Sequence, residues 1–370
     1  MSVTRAFYLD HNATSPADPR VVARFLEVDR DCPGNPASIH APGRHARAVV
    51  ENSRVQAADA LGVDPGDLLF TSGGTEANNC AVLGLGDANL PVLLAPTEHP
   101  SVMEPARSRG VVEWAVDGSG CALVQPVDAP VGLVCLTHAQ SEVGTMQPIV
   151  VAAELANDLQ VPLHVDAAQT LGRVPLHEVL QRADSVAFSP HKAGGLRGGG
   201  LLFVRNAQQR LRPLLRGGGQ QAGLRPGTVS PAMAAASALC VALAVAEQAE
   251  RKKCMETARR AFLEQLCDST MRILTPLETS LPNTVMLAFD NLEGRSLLPA
   301  LDLEGIAVSQ GSACSAGTPQ PPVILAAMGV EERVARACVR LSFGRSDDSA
   351  FAGTAGKHFA NVVARLQNKK

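Results

Sequence analysis

The chain has 370 residues, 46% of them hydrophobic and 19% charged, with a formal net charge of −3. These proportions exclude a disordered or fibrous chain and give no electrostatic reason to expect nucleic acid or an acidic membrane surface as partner. Nine cysteines are scattered without a Cys-x-x-Cys pair, which argues against a disulfide framework and a structural zinc site and for reduced thiols in the cytoplasm. The opening MSVTRAFYLDHNAT lacks a charged-then-apolar leader, and no apolar run approaches the ~18 residues of a membrane span, so no membrane is expected as partner.

In chain order, HARAVVENSRVQAADALG has helical spacing and stops at Gly62, DLLFTSG is a strand entering a turn, and TEANNCAVLGL is helical again. PVLLAP, VVEWAV, VGLVCLTHA, VPLHVDAAQ, SVAFSP and GGLLFVR follow as six candidate strands, with helices such as IVVAAELANDLQ between them. Right-handed crossovers through those helices predict a mostly parallel sheet covered on both faces. The run from Pro231 to Cys267 is the longest helical pattern, apolar at first and charged later, as expected of a segment that leaves a large domain for a smaller one. NTVMLAF, GIAVS and CVRLSFGR read as strands and VVARLQ as the final helix of an α+β satellite. The expected division is a large domain over residues 14–248 and a small one built from residues 1–13 and 249–370.

Polar motifs stand at the strand ends, where open α/β sheets place ligands. In TSGGTEANN, Gly74 and Thr75 offer free N–H groups and a hydroxyl to a phosphate at a helix N-terminus, or else form a tight turn with a threonine cap. Asp166, closing the strand in HVDAAQ, either caps the next helix or pairs with the ring nitrogen of a pyridine cofactor. Ser189, His191 and Lys192 lie between two apolar strands before a glycine-rich turn, so Lys192 is a candidate for a Schiff base with an aldehyde cofactor, against the alternative of a surface lysine. In SQGSACSAGT, Cys314 stands among small residues only, as an incidental loop thiol or one that is chemically employed.

YLDHNAT, GNPASIH, FTSGGTEANN, TEHPSV, HVDAAQ, SPHK, RPGT, GSACS and VRLSFGR follow one another in the order and approximate spacing of the cysteine desulfurases. The chain resembles that family over nearly its whole length. The resemblance implies the type I aminotransferase fold and pyridoxal 5'-phosphate as cofactor, and GSACS is similar to the group with the longer catalytic loop. It also implies that Lys192 holds the cofactor and moves the substrate's α-proton, and that His99 stacks on the ring and assists proton transfer. Asp166 would bind the ring nitrogen and Gln169 the phenolic oxygen. Gly74, Thr75, Ser189 and His191 would hold the phosphate, with Thr228 completing that site from the other subunit of a homodimer. Arg340 would clamp the substrate carboxylate as a fork. Cys314 would take sulfur from L-cysteine as a persulfide, leave alanine, and pass the sulfur to an acceptor or scaffold protein for iron–sulfur cluster or other thio-cofactor supply.

The sequence departs from the family pattern in HAQSEVG, where Gln140 and Ser141 replace two amides. Ser141 is too short to copy a long amide reach, which leaves Gln140 or a water as substitutes. Pro190 and Gln310 stand where smaller residues are common, and the C-terminal end is short where relatives carry a scaffold-docking segment. Two alternatives share most of these motifs: a selenocysteine lyase, and a catalytically weak paralogue acting as a sulfur-relay or partner subunit.

Overall fold

The computed structural model describes residues 7–266, 271–290, 292, 294–310 and 321–367, so the expectations placed on Cys314 lie outside the described residues. Among those described, the strands are β1 (Phe7–Tyr8), β2 (Leu68–Thr71), β3 (Val92–Leu94), β4 (Val111–Glu113), β5 (Leu133–Thr137), β6 (Leu163–Asp166), β7 (Ser185–Phe188), β8 (Gly200–Val204), β9 (Met271–Ile273), β10 (Thr284–Phe289), β11 (Ile306–Ala307) and β12 (Cys338–Ser342).

A seven-stranded sheet runs in the order β2-β8-β7-β6-β5-β3-β4. From β4 to β7 all neighbours are parallel, and β8 alone runs against both its neighbours, β2 and β7. Strands β5, β6 and β7 are buried along their whole length, which is why they read as continuous apolar runs rather than alternating ones. Successive residues still point to opposite faces. Leu94, Cys135 and Leu202 meet the helices Gly74–Gly84 and Pro100–Arg107 on one side, whereas Leu93, Leu136, Val165 and Phe203 meet Ala41–Leu61, Ile149–Asp158 and Pro231–Ala246 on the other. Gly62 ends the helix Ala41–Leu61 at φ 70°, its N–H turned back to the Ala58 and Asp59 carbonyls, a closure that glycine enters at least cost.

The long helical run is two helices. Pro231–Ala246 and the segment from Gln248 to Leu266 meet at 72°, with Glu247 at the corner bonded to Arg20 and Arg251 at 2.7 and 2.8 Å. The first helix is alanine-rich and packs against Pro19–Asp31 and Ala41–Leu61 through Ala232 and Ala235. The second carries Ala258 and Phe262 into a separate core with Phe343, Ala355 and Phe359. The change of composition halfway along the run therefore marks a change of packing partner. No single helix among the described residues is long and apolar enough to cross a membrane.

That second core is covered by a three-stranded antiparallel sheet, β12-β10-β9. The N-terminal β1 pairs in parallel with β11, and an Asp10–Ser342 bridge continues it onto β12. The first described residues thus reach the cavity between the two sheets.

Candidate active site

A cavity of about 460 Å³ opens at the carboxyl ends of the large sheet's strands. Gly74, Thr75, His99, Asp166, Gln169, Ser189, His191, Lys192 and Arg340 all line it. Thr228 does not. It lines a separate cavity with Asn35, Pro36 and Gln220.

The floor is built from β6 and its neighbours. Asp166 ends β6, 6% exposed, its Oδ1 accepting from the Ala168 N–H at 2.8 Å and its Oδ2 from Asn78 Nδ2 at 2.9 Å. Asn78 also donates to Ser101 Oγ at 2.8 Å, and its own Oδ1 faces His164 Nε2 at 3.1 Å. Burial pushes His164 down to about 4, so that imidazole is neutral and donates. Ser101, receiving a hydrogen from Asn78, gives its own to His99 Nδ1 at 2.8 Å, and its backbone N–H donates to the same nitrogen at 3.1 Å. His99 is the N-cap of the helix Pro100–Arg107. With Nδ1 accepting twice, its ring proton sits on Nε2. Burial lowers the His99 pKa, with Asp166 opposing and Lys192 assisting.

The helix Gly74–Gly84 points its N-terminus at the cavity. A Cβ on Gly74 would come within 3.3 Å of Ser189, and one on Gly200 within 2.5 Å of the Gly73 carbonyl carbon. Glycine at 74 lets the helix start close on Ser189, and glycine at 200, the first residue of β8, lets that strand pass against Gly73 and Thr71. Arg225 of RPGT grips Glu76 of this helix through two bonds of 2.7 and 3.0 Å.

Lys192 ends a 3-10 turn, Pro190–Lys192. Its carbonyl accepts from Ser15 Oγ at 3.0 Å, and Thr14 Oγ1 meets His191 Nδ1 at the same distance. His191 is pushed down to about 4 by burial, then by Lys192, Arg197 and Arg173. Behind it Arg173, lowered to about 9 by burial and by Arg340, donates to Asn12 Oδ1 at 2.8 Å and Gln169 Oε1 at 2.6 Å. Gln169 Nε2 gives one hydrogen to the Asn12 carbonyl at 3.0 Å, which leaves its second for the cavity.

Across the cavity, β12 presents Arg340, 2% exposed. Its Nη2 donates to Asp10 Oδ1 at 2.7 Å and its Nη1 to the Ser141 carbonyl at 3.1 Å. Gln140 does not stand in for a missing amide: its Oε1 accepts from the Glu142 and Val143 N–H groups at 2.6 and 2.8 Å, closing the 140–143 turn. The carbonyl of Ser141, rather than either side chain, contacts Arg340. Asn12, Asn78, Ser101 and Arg173 carry no task in a motif reading. Asn12, Asn78 and Ser101 do lie inside three of the quoted motifs.

The donor set fits a planar pyridine aldehyde phosphate. The helix N-terminus with Ser189 and His191, the Asp166 carboxyl and the Lys192 amine line one cavity, the donor types that a phosphate, a ring nitrogen and an aldehyde carbon would call for. The sequence pattern of the family described as aminotransferase class-V matches residues 7–350. The chain belongs to that family. A putative cysteine desulfurase, IscS 1, of Bacillus subtilis strain 168 is 34% identical over 375 residues, covering 97% of this chain and 99% of its own. The solved structure of a NifS-like protein superposes with a TM-score of 0.88 at 31% identity, covering 98% of this chain and 100% of its own. That of SspA in complex with cysteine does so with 0.77 at 26% identity, covering 91% and 99%. The fold is the type I aminotransferase fold of these enzymes, and their cofactor is pyridoxal 5'-phosphate.

Proposed function

We infer that the chain is a pyridoxal-phosphate-dependent cysteine desulfurase, converting L-cysteine to L-alanine with transfer of the sulfur to Cys314. The observation that carries this reading is the cavity itself, where Lys192, Asp166 and the Gly74 helix start face Arg340 across a space about 460 Å³ in volume. Gly74, Thr75, Ser189 and His191 hold the cofactor phosphate, Asp166 its ring nitrogen and Gln169 its phenolic oxygen; Lys192 is the amine that binds its aldehyde carbon. Bound there, the cofactor supplies an electron sink for the substrate's α-carbon. Lys192 moves the α-proton, and His99 exchanges a proton at Nε2, since its Nδ1 is occupied. Arg340 orients the substrate carboxylate.

Sulfur then needs an acceptor. The Cys314 thiolate attacks the substrate sulfur, an S–S bond forms as the C–S bond breaks, and the three-carbon fragment keeps the electron pair and is protonated to alanine. Burial raises the pKa of all seven described thiols, Cys80 to about 11 and Cys240 and Cys338 to about 12, which makes them poor nucleophiles. The base of the Cys314 segment is pinned beside the cavity: Ser309 exchanges two backbone bonds with Arg340, and Gln310 Nε2 donates to the Arg336 carbonyl. Four residues of chain from Gln310 span up to about 14 Å.

Thr228, away from the cavity in its own chain, completes the phosphate site of a second copy in a homodimer. Support comes from the adjoining GNPASIH segment, where Ile39 is 87% exposed, and from the Arg225–Glu76 tether that links RPGT to the cradle. We place the enzyme in the cytoplasm, where reduced thiols persist, with a protein acceptor for the persulfide. We divide the chain into a large domain over residues 14–248 and a small one of residues 1–13 and 249–370; the change of packing partner across the Glu247 corner supports this. The test is to supply L-cysteine with a reductant and measure L-alanine and sulfide. Equal amounts of both support the reading; turnover confined to selenocysteine, or pyruvate in place of alanine, rejects it.

A further inference from the structure

Arg340 enters the cavity already neutralised. A guanidinium 2% exposed has almost no water to offset its charge, and an isolated buried charge of that kind is strongly unfavourable. Asp10 is the carboxylate that meets it, at 2.7 Å, with side-chain exposures of 3% for the arginine and 20% for the aspartate. Asp10 belongs to the YLDHNAT motif, to which the desulfurase chemistry gives no other task. Its backbone is fixed by the bridge to Ser342 and by Tyr8 Oη donating to its carbonyl at 3.2 Å, but its side chain keeps a route to solvent. Elsewhere on the guanidinium, Nη1 donates to the Ser141 carbonyl at 3.1 Å, and Nε is buried with no partner among the described residues. Arg173, close enough to repel Arg340, has no carboxylate partner among the described residues.

We propose that Asp10 is a resident stand-in for the substrate carboxylate, neutralising Arg340 in the resting enzyme and displaced from it by the α-carboxylate of L-cysteine. This rests on the reading of Arg340 as the carboxylate clamp. Two carboxylates on one buried guanidinium repel each other and share a single positive charge, so the arriving one is bound at the expense of the other. The exchange sets an affinity threshold. A thiol with a carboxylate crosses it, and an aminothiol without one leaves the Asp10–Arg340 pair closed.

The experiment is a calorimetric titration of the holoenzyme with L-alanine, a non-reacting carboxylate ligand, and with L-alaninamide, which lacks the charge. Asp10→Asn keeps an acceptor for Arg340 but removes the competing charge, and Asp10→Ser removes both charge and reach. L-alanine should bind both variants more tightly than wild type, by about tenfold or more for the loss of a charged hydrogen bond, while L-alaninamide binding stays the same. Arg340→Gln should erase the preference for L-alanine over its amide. Loss of that preference together with unchanged or weaker L-alanine binding in whichever Asp10 variants fold overturns the displacement role alone. A preference that survives Arg340→Gln overturns the clamp reading, and the displacement role with it.

Discussion

The two walls of the cavity are held by different physics. On the large-sheet side, hydrogen bonds run in one direction from Asn78 through Ser101 to His99, and Asn78 also fixes Asp166; every member is partnered, and all but the half-buried His99 are buried. On the β12 side, a buried guanidinium rests on a carboxylate 330 positions away in sequence, its Nε without a partner among the described residues, next to the base of the Cys314 segment. The first wall is pre-organised and need not change during turnover. On the reading proposed above, the second would exchange one carboxylate for another and admit a thiol, and its guanidinium Nε has no partner among the described residues. A cofactor that stays and a substrate that comes and goes require these two designs.

Changes on the first wall should cost most. Lys192→Ala should abolish turnover and the yellow absorbance of the holoenzyme together, since no other amine in the cradle can replace it; an active, yellow variant would remove the contrast between the walls. Asn78→Ala should come next, because it strands Asp166, Ser101 and His164 at once. A loss of about 3 kcal/mol or more in denaturant unfolding, with a matching fall in kcat, is expected from buried polar groups left unpaired. Acid sharpens the comparison further. His138 and His164 are held near 4 by burial, against an ordinary 6.5. The unfolded chain therefore binds more protons than the native one between those values. Their stabilisation is complete above 6.5 and is lost as the pH falls towards 4, below which the loss levels off. The melting temperature should fall across that window, less what Glu98, raised to about 8 by burial, offsets, and His164→Gln should reduce the fall by one histidine's share while His11, His138 and His191 keep theirs. Ser141→Asn should have the smallest effect, leaving kcat/KM unchanged or raised, because the main-chain carbonyl is what Arg340 uses; a severe loss would mean that the β12 wall has been rebuilt around the serine.

The first wall was also the more legible in sequence. Gly74, Thr75, Asp166, Ser189, His191 and Lys192 stand in short motifs directly after apolar strands, and strand ends are where an open α/β sheet places its ligands. Asn78 sits in the same motif as Thr75, yet its partners Ser101 and Asp166 lie 23 and 88 positions away, and no local pattern announces them. Asp10 is the extreme case, readable only once β1 has paired with β11 and brought the N-terminus to β12. The antiparallel turn of β8 was likewise invisible, since an antiparallel strand covered on both faces has the same apolar composition as its parallel neighbours. The bend at Glu247 was foreshadowed by the change from alanine-rich to charged sequence but not by any glycine or proline, because a packing change rather than a chain breaker produces it.

Whether the second wall does the sulfur chemistry turns on one thiol. Holoenzyme given L-cysteine without reductant should gain the mass of one sulfur atom, and a peptide map should place it on Cys314 between Ser309 and Thr318. Cys314→Ser should keep the yellow absorbance through Lys192 while sulfide release falls by several orders of magnitude, as for loss of a covalent nucleophile. Sulfur mapped to any other cysteine, or near-normal sulfide release from the serine variant, would contradict the account even with the fold and cofactor unchanged.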